Sequence, residues 1–141
     1  MRLWRAISAM CALLVALAGC NGPNSSNQPS SASGFNIDVK ISPNTLRGAT
    51  AGTNEQQGGC GTVTATVFDL SGRLIDGATV TLTAVLGRFP PTAARQESVA
   101  VTGVTTRGVL TDVVCAKAER GTGSVTATVE NATATVLFTV F

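Results

Sequence analysis

From Phe35 onward the chain alternates apolar and polar residues with a period of two. Phe35, Ile37, Val39 and Ile41 interleave with Asn36, Asp38, Lys40 and Ser42. Successive side chains of an extended strand point to opposite faces, so this spacing predicts a strand with one face on a core and one in solvent. Pro43-Asn44 ends it. The pattern returns at Val63, Ala65 and Val67 between threonines, and again at Val80, Leu82, Ala84 and Leu86 between Thr79, Thr81 and Thr83. Residues 44–61 read as a polar loop, Asp69 to Gly77 as a turn with two glycines, and Gly87 to Arg95, which contains Pro90-Pro91, as a loop.

A short strand is predicted over 97–102 and a turn at Thr106-Arg107-Gly108. Residues 109–116 carry apolar groups on both faces (Val109, Leu110, Val113, Val114, Cys115), which predicts a central strand. Val125, Ala127 and Val129 lead through a turn at Glu130-Asn131 to Ala132, Ala134, Val136, Phe138 and Val140, the pattern of a closing hairpin. About seven short alternating strands separated by turns, without a helical period, predict an all-β fold: a single immunoglobulin-like antiparallel sandwich over residues 35–141.

Composition sharpens this picture. Threonine and glycine are abundant, as suits strands and turns, and His and Tyr are absent. Of the ten Lys and Arg residues, Arg2 and Arg5 precede Cys20. The remaining eight match the eight Asp and Glu, so the chain from Cys20 onward is neutral. No cluster of basic residues marks a nucleic-acid footprint, and none is expected as a partner.

Residues 1–19 have the parts of a secretory signal: Arg2 and Arg5, then an apolar run from Ile7 to Ala18, too short to span a bilayer comfortably. The run ends in Leu17-Ala18-Gly19-Cys20, which resembles the lipobox of bacterial lipoproteins. That resemblance implies recognition of Leu17, Ala18 and Gly19 by the lipoprotein signal peptidase, cleavage before Cys20, and diacylglycerol on the Cys20 sulfur. Two or three acyl chains, each CH2 contributing about 0.8 kcal/mol on burial, hold a protein stably on a membrane. By the same resemblance Asn21, which is not the Asp that retains lipoproteins in the inner membrane, favours the outer one. After Cys20, the stretch 21–34 (NGPNSSNQPSSASG) lacks charge and apolar periodicity, the composition of a flexible linker. A random coil of that length spans about 20 Å on average.

Beyond the lipidated cysteine, and with Cys11 leaving in the signal, two cysteines remain: Cys60 opening the second strand and Cys115 in the late apolar one. Export permits oxidation, so a disulfide is expected, with two separate buried thiols as the alternative. Because Cys60 is out of phase with inward-facing Val63, the bond is expected to sit less regularly than in antibody domains. Two sulfurs without histidine leave a metal short of ligands, and a catalytic thiol would lack its usual base.

Residues 35–141 resemble bacterial Ig-like domains of the intimin and invasin group. Ile41-Ser42-Pro43 resembles the opening strand and its proline, Val67 to Val80 a strand, a D-x-x-G turn and a G-x-x-V strand. Thr106-Arg107-Gly108-Val109 and Gly123 to Val129 resemble late elements of the same domain. The resemblance implies a rigid spacer or an adhesive module. Leu74 departs from the pattern, standing where a proline is common.

No signature of catalysis and no cofactor-binding motif is present. Asp69 and Asp76 flank a turn and are expected to serve it, and Asp69, Asp76 and Asp112 lack the dense array that calcium requires. Phe89-Pro90-Pro91 either exposes an aromatic ring or packs Phe89 on the rim of the core. Arg88, Arg95 and Arg107 either line one loop end or form a solvated rim. The expected function is a non-catalytic, membrane-anchored module of the cell envelope that serves adhesion or recognition of a protein or glycan. The alternative is an accessory lipoprotein docked on a periplasmic or outer-membrane complex.

Overall fold

A computed structural model describes residues 34–50 and 58–141. The expected signal segment, the lipobox read at Leu17 to Gly19, the expected lipidation at Cys20 and the expected linker up to residue 33 lie outside the described residues. The chain forms the predicted all-β sandwich. Among the described residues nine strands run in order: β1 (Phe35–Ser42), β2 (Thr45–Leu46), β3 (Cys60–Asp69), β4 (Thr79–Val85), β5 (Gly87–Arg88), β6 (Ala100–Val104), β7 (Val109–Ala116), β8 (Gly121–Val129) and β9 (Ala132–Val140). Seven have five residues or more; β2 and β5 are two-residue pieces. One sheet has the order β1-β3-β7-β5 and the other β2-β9-β8-β4-β6. Every connection except the β8–β9 hairpin therefore changes sheet. All pairings are antiparallel except the short β2–β9 contact.

The core follows the alternation. Val39, Val63, Ala65, Val67, Val80, Leu82, Val125 and Ala127 are completely buried between the sheets. The opposite parity on the five-stranded sheet is rich in threonine. Register places Thr133, Thr128, Thr81 and Thr102 side by side on four strands. Hydroxyls meet across strands at Thr81–Thr102 (3.1 Å) and Thr126–Thr135 (2.9 Å).

Several expectations change in detail. The polar loop 44–61 contains β2, whose Leu46 is buried, because β2 adds to the end of β9. Leu86 does not continue β4 inward: its φ is 57°, and this left-handed residue turns the chain across to the other sheet. The loop over 87–95 begins with a strand, since Gly87 and Arg88 pair with Ala116 and Cys115. The short strand lies at Ala100–Val104, displaced from 97–102 because Ser98 bonds backbone across to Phe89. Strand β7 is not central along its length. It has β3 on one side but only two residues of β5 on the other, and its double apolar character reflects coverage near Val114 to Ala116.

Cys60 and Cys115 form a disulfide, with sulfurs 2.06 Å apart. They stand directly opposite each other on β3 and β7. The Ala116 N–H donates to the Gly59 carbonyl, so the cysteines occupy the adjacent non-hydrogen-bonded position, where facing side chains come closest. Gly61 and Val63 face the core, so Cys60 projects outward. The bond therefore ties two strands of one sheet on its outer face rather than joining the two sheets.

Closing a loop with this sequence separation of 55 residues stabilises by about 4 kcal/mol in the chain-entropy model. Reducing the purified domain, or replacing both cysteines with serine, is expected to lower its unfolding free energy by that order in urea titration.

Candidate recognition surface

The turn residues come first, because they are the carboxylates from which a site might be built. Asp69 Oδ1 accepts hydrogen bonds from the Ser71 amide (2.8 Å), the Ser71 hydroxyl (2.6 Å) and the Arg73 amide (2.9 Å). The Ser71 hydroxyl, followed by the Arg73 amide, holds this carboxyl below its ordinary range. Asp76 accepts from the Arg107 amide at 2.7 Å. Arg107 and Gly108 both have left-handed φ, 54° and 80°, forming the tight turn expected at 106–108. Each Asp is thus engaged in holding a turn. No group of three His, Cys, Asp or Glu arranged for a metal occurs among the described residues.

Thr105, which no sequence pattern singled out, staples these turns together. It is 2% exposed. Its hydroxyl accepts from the Ala78 amide (2.9 Å) and donates to the Ile75 carbonyl (2.8 Å). A buried threonine next to a strand end looks like any other β-former in the sequence, so nothing in the chain announces this role.

The three arginines do not form one rim. Arg107 lies in the turn just described. Arg88 is 2% exposed, opposite Cys115 on the ladder, with Nη1 3.2 Å from Glu97 Oε1. Arg95 binds both carboxylate oxygens of Asp112, one at 2.7 Å, and its Nε donates to the Pro90 carbonyl at 3.3 Å. Its guanidinium carbon lies 5.9 Å from the centre of the Phe89 ring. Phe89 is fully buried, which settles the choice between an exposed ring and a packed one.

Asp112 shares the parity of inward-facing Val114, so a charge points into the open flank between the sheets. Burial pushes its carboxyl up, but the Arg95 hydrogen bonds, the Val113 amide and the guanidinium charge outweigh this and hold it below the usual range. The same carboxylate takes the outward Val113 N–H at 2.7 Å, which blunts the β7 edge at that point.

The neighbouring edge is different. Among the described residues, strand β6 pairs only with β4. The Ala84 amide donates to the Val99 carbonyl and the Thr105 amide to the Ala78 carbonyl. The odd-numbered residues of β6 therefore bond toward β4, and the even-numbered ones present N–H and C=O outward. Ser98 Oγ takes both groups of Ala100 (3.1 and 2.6 Å). The backbone groups of Thr102 and Val104 have no hydrogen-bond partner among the described residues. Beside them lies an open groove of about 400 Å³ lined by Arg95, Gln96, Glu97, Ser98, Ala100, Val101 and Thr102. Gly103 lets β6 lie close against β7, because a Cβ there would stand 2.6 Å from Leu110 Cδ1.

No family model, no curated protein and no solved structure matches this chain. The surface has to be interpreted from its own geometry.

Two outcomes follow. Because the folded-state pKa of Asp112 is depressed, its stabilisation is complete above the ordinary carboxylate range and is lost as pH falls through the folded value. Asp112→Asn should cost about 1–2 kcal/mol at neutral pH and reduce the acid slope of stability, both readable in urea titrations from neutral pH down to about pH 3. In hydrogen exchange, the amides of Thr102 and Val104 should exchange freely while those of Val101 and Gly103 are protected. Equal protection of all four would close the edge.

Proposed function

We propose that the protein is a non-catalytic lipoprotein of the bacterial envelope that recognises a protein partner by strand addition along β6. The open edge of β6 beside its groove carries this reading. Unpaired ladder groups supply main-chain hydrogen bonds to an extended segment, and an adjacent groove supplies selection of its side chains. Other edges are blunted in part: on β7, β5 pairs with Cys115 and Ala116 and the Asp112 carboxylate takes the Val113 N–H, β2 covers the last two residues of β9, and β1 carries the Asp38–Lys40 ion pair at 3.1 Å, a charged edge of the kind that discourages pairing. The anchor rests on Leu17-Ala18-Gly19-Cys20.

The same edge serves a second reading, an accessory subunit docked on a periplasmic or outer-membrane assembly. Location separates the two. In protease shaving of cells that carry the full chain, loss of the domain from intact cells is expected for a surface recognition or adhesion module. Protection until permeabilisation would overturn that reading in favour of the accessory one. A full chain that incorporates no labelled fatty acid in growing cells, or incorporates it equally when Cys20 is replaced (Cys20→Ala), would overturn the lipid anchor itself.

A further inference from the structure

The end of the sandwich at which the chain enters carries an exposed apolar turn. Phe35 pairs with Asp69, so the chain enters at the end that carries the β3–β4 turn. That turn displays Leu70, 70% exposed, and Leu74, 54% exposed. They are held in place by structure. Asp69 grips Ser71 and Arg73, Leu74 bridges to Phe68, and a Cβ on Gly108 would stand 2.6 Å from that of Leu74. A rigid turn that projects two leucines, instead of folding them onto the nearby core, presents an apolar tip.

The tip has an occupant suggested by the length of the chain before it. A chain of the length and composition of residues 21–34 would span about 20 Å on average if a coil, whereas the ten residues of β3 extend about 33 Å. A lipid on Cys20 therefore keeps the Phe35 end near the bilayer and leaves the Ser42 end far from it. Charge at the near end is close to balanced: Arg73 and Arg107 against Asp69, Asp76 and Glu130.

We infer that Leu70 and Leu74 seat among lipid headgroups and set the sandwich on end, with its long axis away from the membrane. This inference rests on the lipid-anchor reading. The contact is apolar, so it holds on zwitterionic lipid and survives high salt.

The chain from Cys20 onward has no tryptophan, so Leu70→Trp and Phe141→Trp give unique reporters at the near and far ends. The lipidated full-length variants would be reconstituted in phosphatidylcholine vesicles containing spin-labelled acyl chains. The expected result is a blue-shifted, strongly quenched emission for the Leu70 variant, unchanged in 1 M salt, and a water-exposed, unquenched emission for the Phe141 variant. A water-exposed Leu70 reporter on protein that floats with the vesicles overturns the inference and leaves the anchor standing. Failure to float overturns the anchor and the inference with it. A blue shift that appears without vesicles and grows with protein concentration assigns the tip to a second copy of the chain and also overturns it.

Discussion

Two sheets share a core only if every strand keeps one parity facing inward, and the rest of this molecule follows from that constraint. A slip of one residue on β3 would put Thr62, Thr64 and Thr66 between the sheets in place of Val63, Ala65 and Val67. The same rule decides what the outward parity can do. It places the Cys60–Cys115 bond on the outside of its sheet, where it resists fraying of β3 from β7 without adding to the packing between layers. It also explains why Asp112 matters. As an inward residue that is charged, it requires Arg95, and Arg95 in turn holds the 89–98 excursion over the flank through the Pro90 carbonyl.

The long strands were legible because their signal is local. Alternation over β1, β3, β4, β8 and β9 can be read without knowing which strand pairs with which. The elements that escaped reading depend on distant partners. Strand β5 is two residues that count as a strand only because Ala116 and Cys115 lie alongside, and β2 exists by virtue of the end of β9. Strand β7 looked central because its apolar residues fall on both faces. Its last two residues pair with β5, a loop segment as far as the sequence could tell.

The open edge of β6 and its groove were much less legible. The residues that border them are ordinary in the sequence: Ser98, Thr102, Val104. What distinguishes them is the direction of backbone groups, which depends on the phase of pairing with β4. Arg88, Arg95 and Arg107 suggested a shared rim from their charge alone, but they lie in three separate settings, because β5, the excursion and the β6–β7 turn diverge. The role of Asp69 as a turn former was readable, since short polar side chains beside glycine bond their own backbone, whereas Asp76 holds the Arg107 amide of a distant turn, a partner that local sequence does not reveal.

The entry of the chain at Phe35 has a mechanical consequence. A pull on the segment before Phe35 runs along the axis of β1, which is held to β3 over eight consecutive register positions. Its hydrogen bonds lie across that direction, so they are loaded in shear and must yield together, unlike a hairpin peeled open from its end. Beyond β1, any extension of β3 away from β7 stops at a covalent bond. The domain is built to bear tension applied through the segment before Phe35.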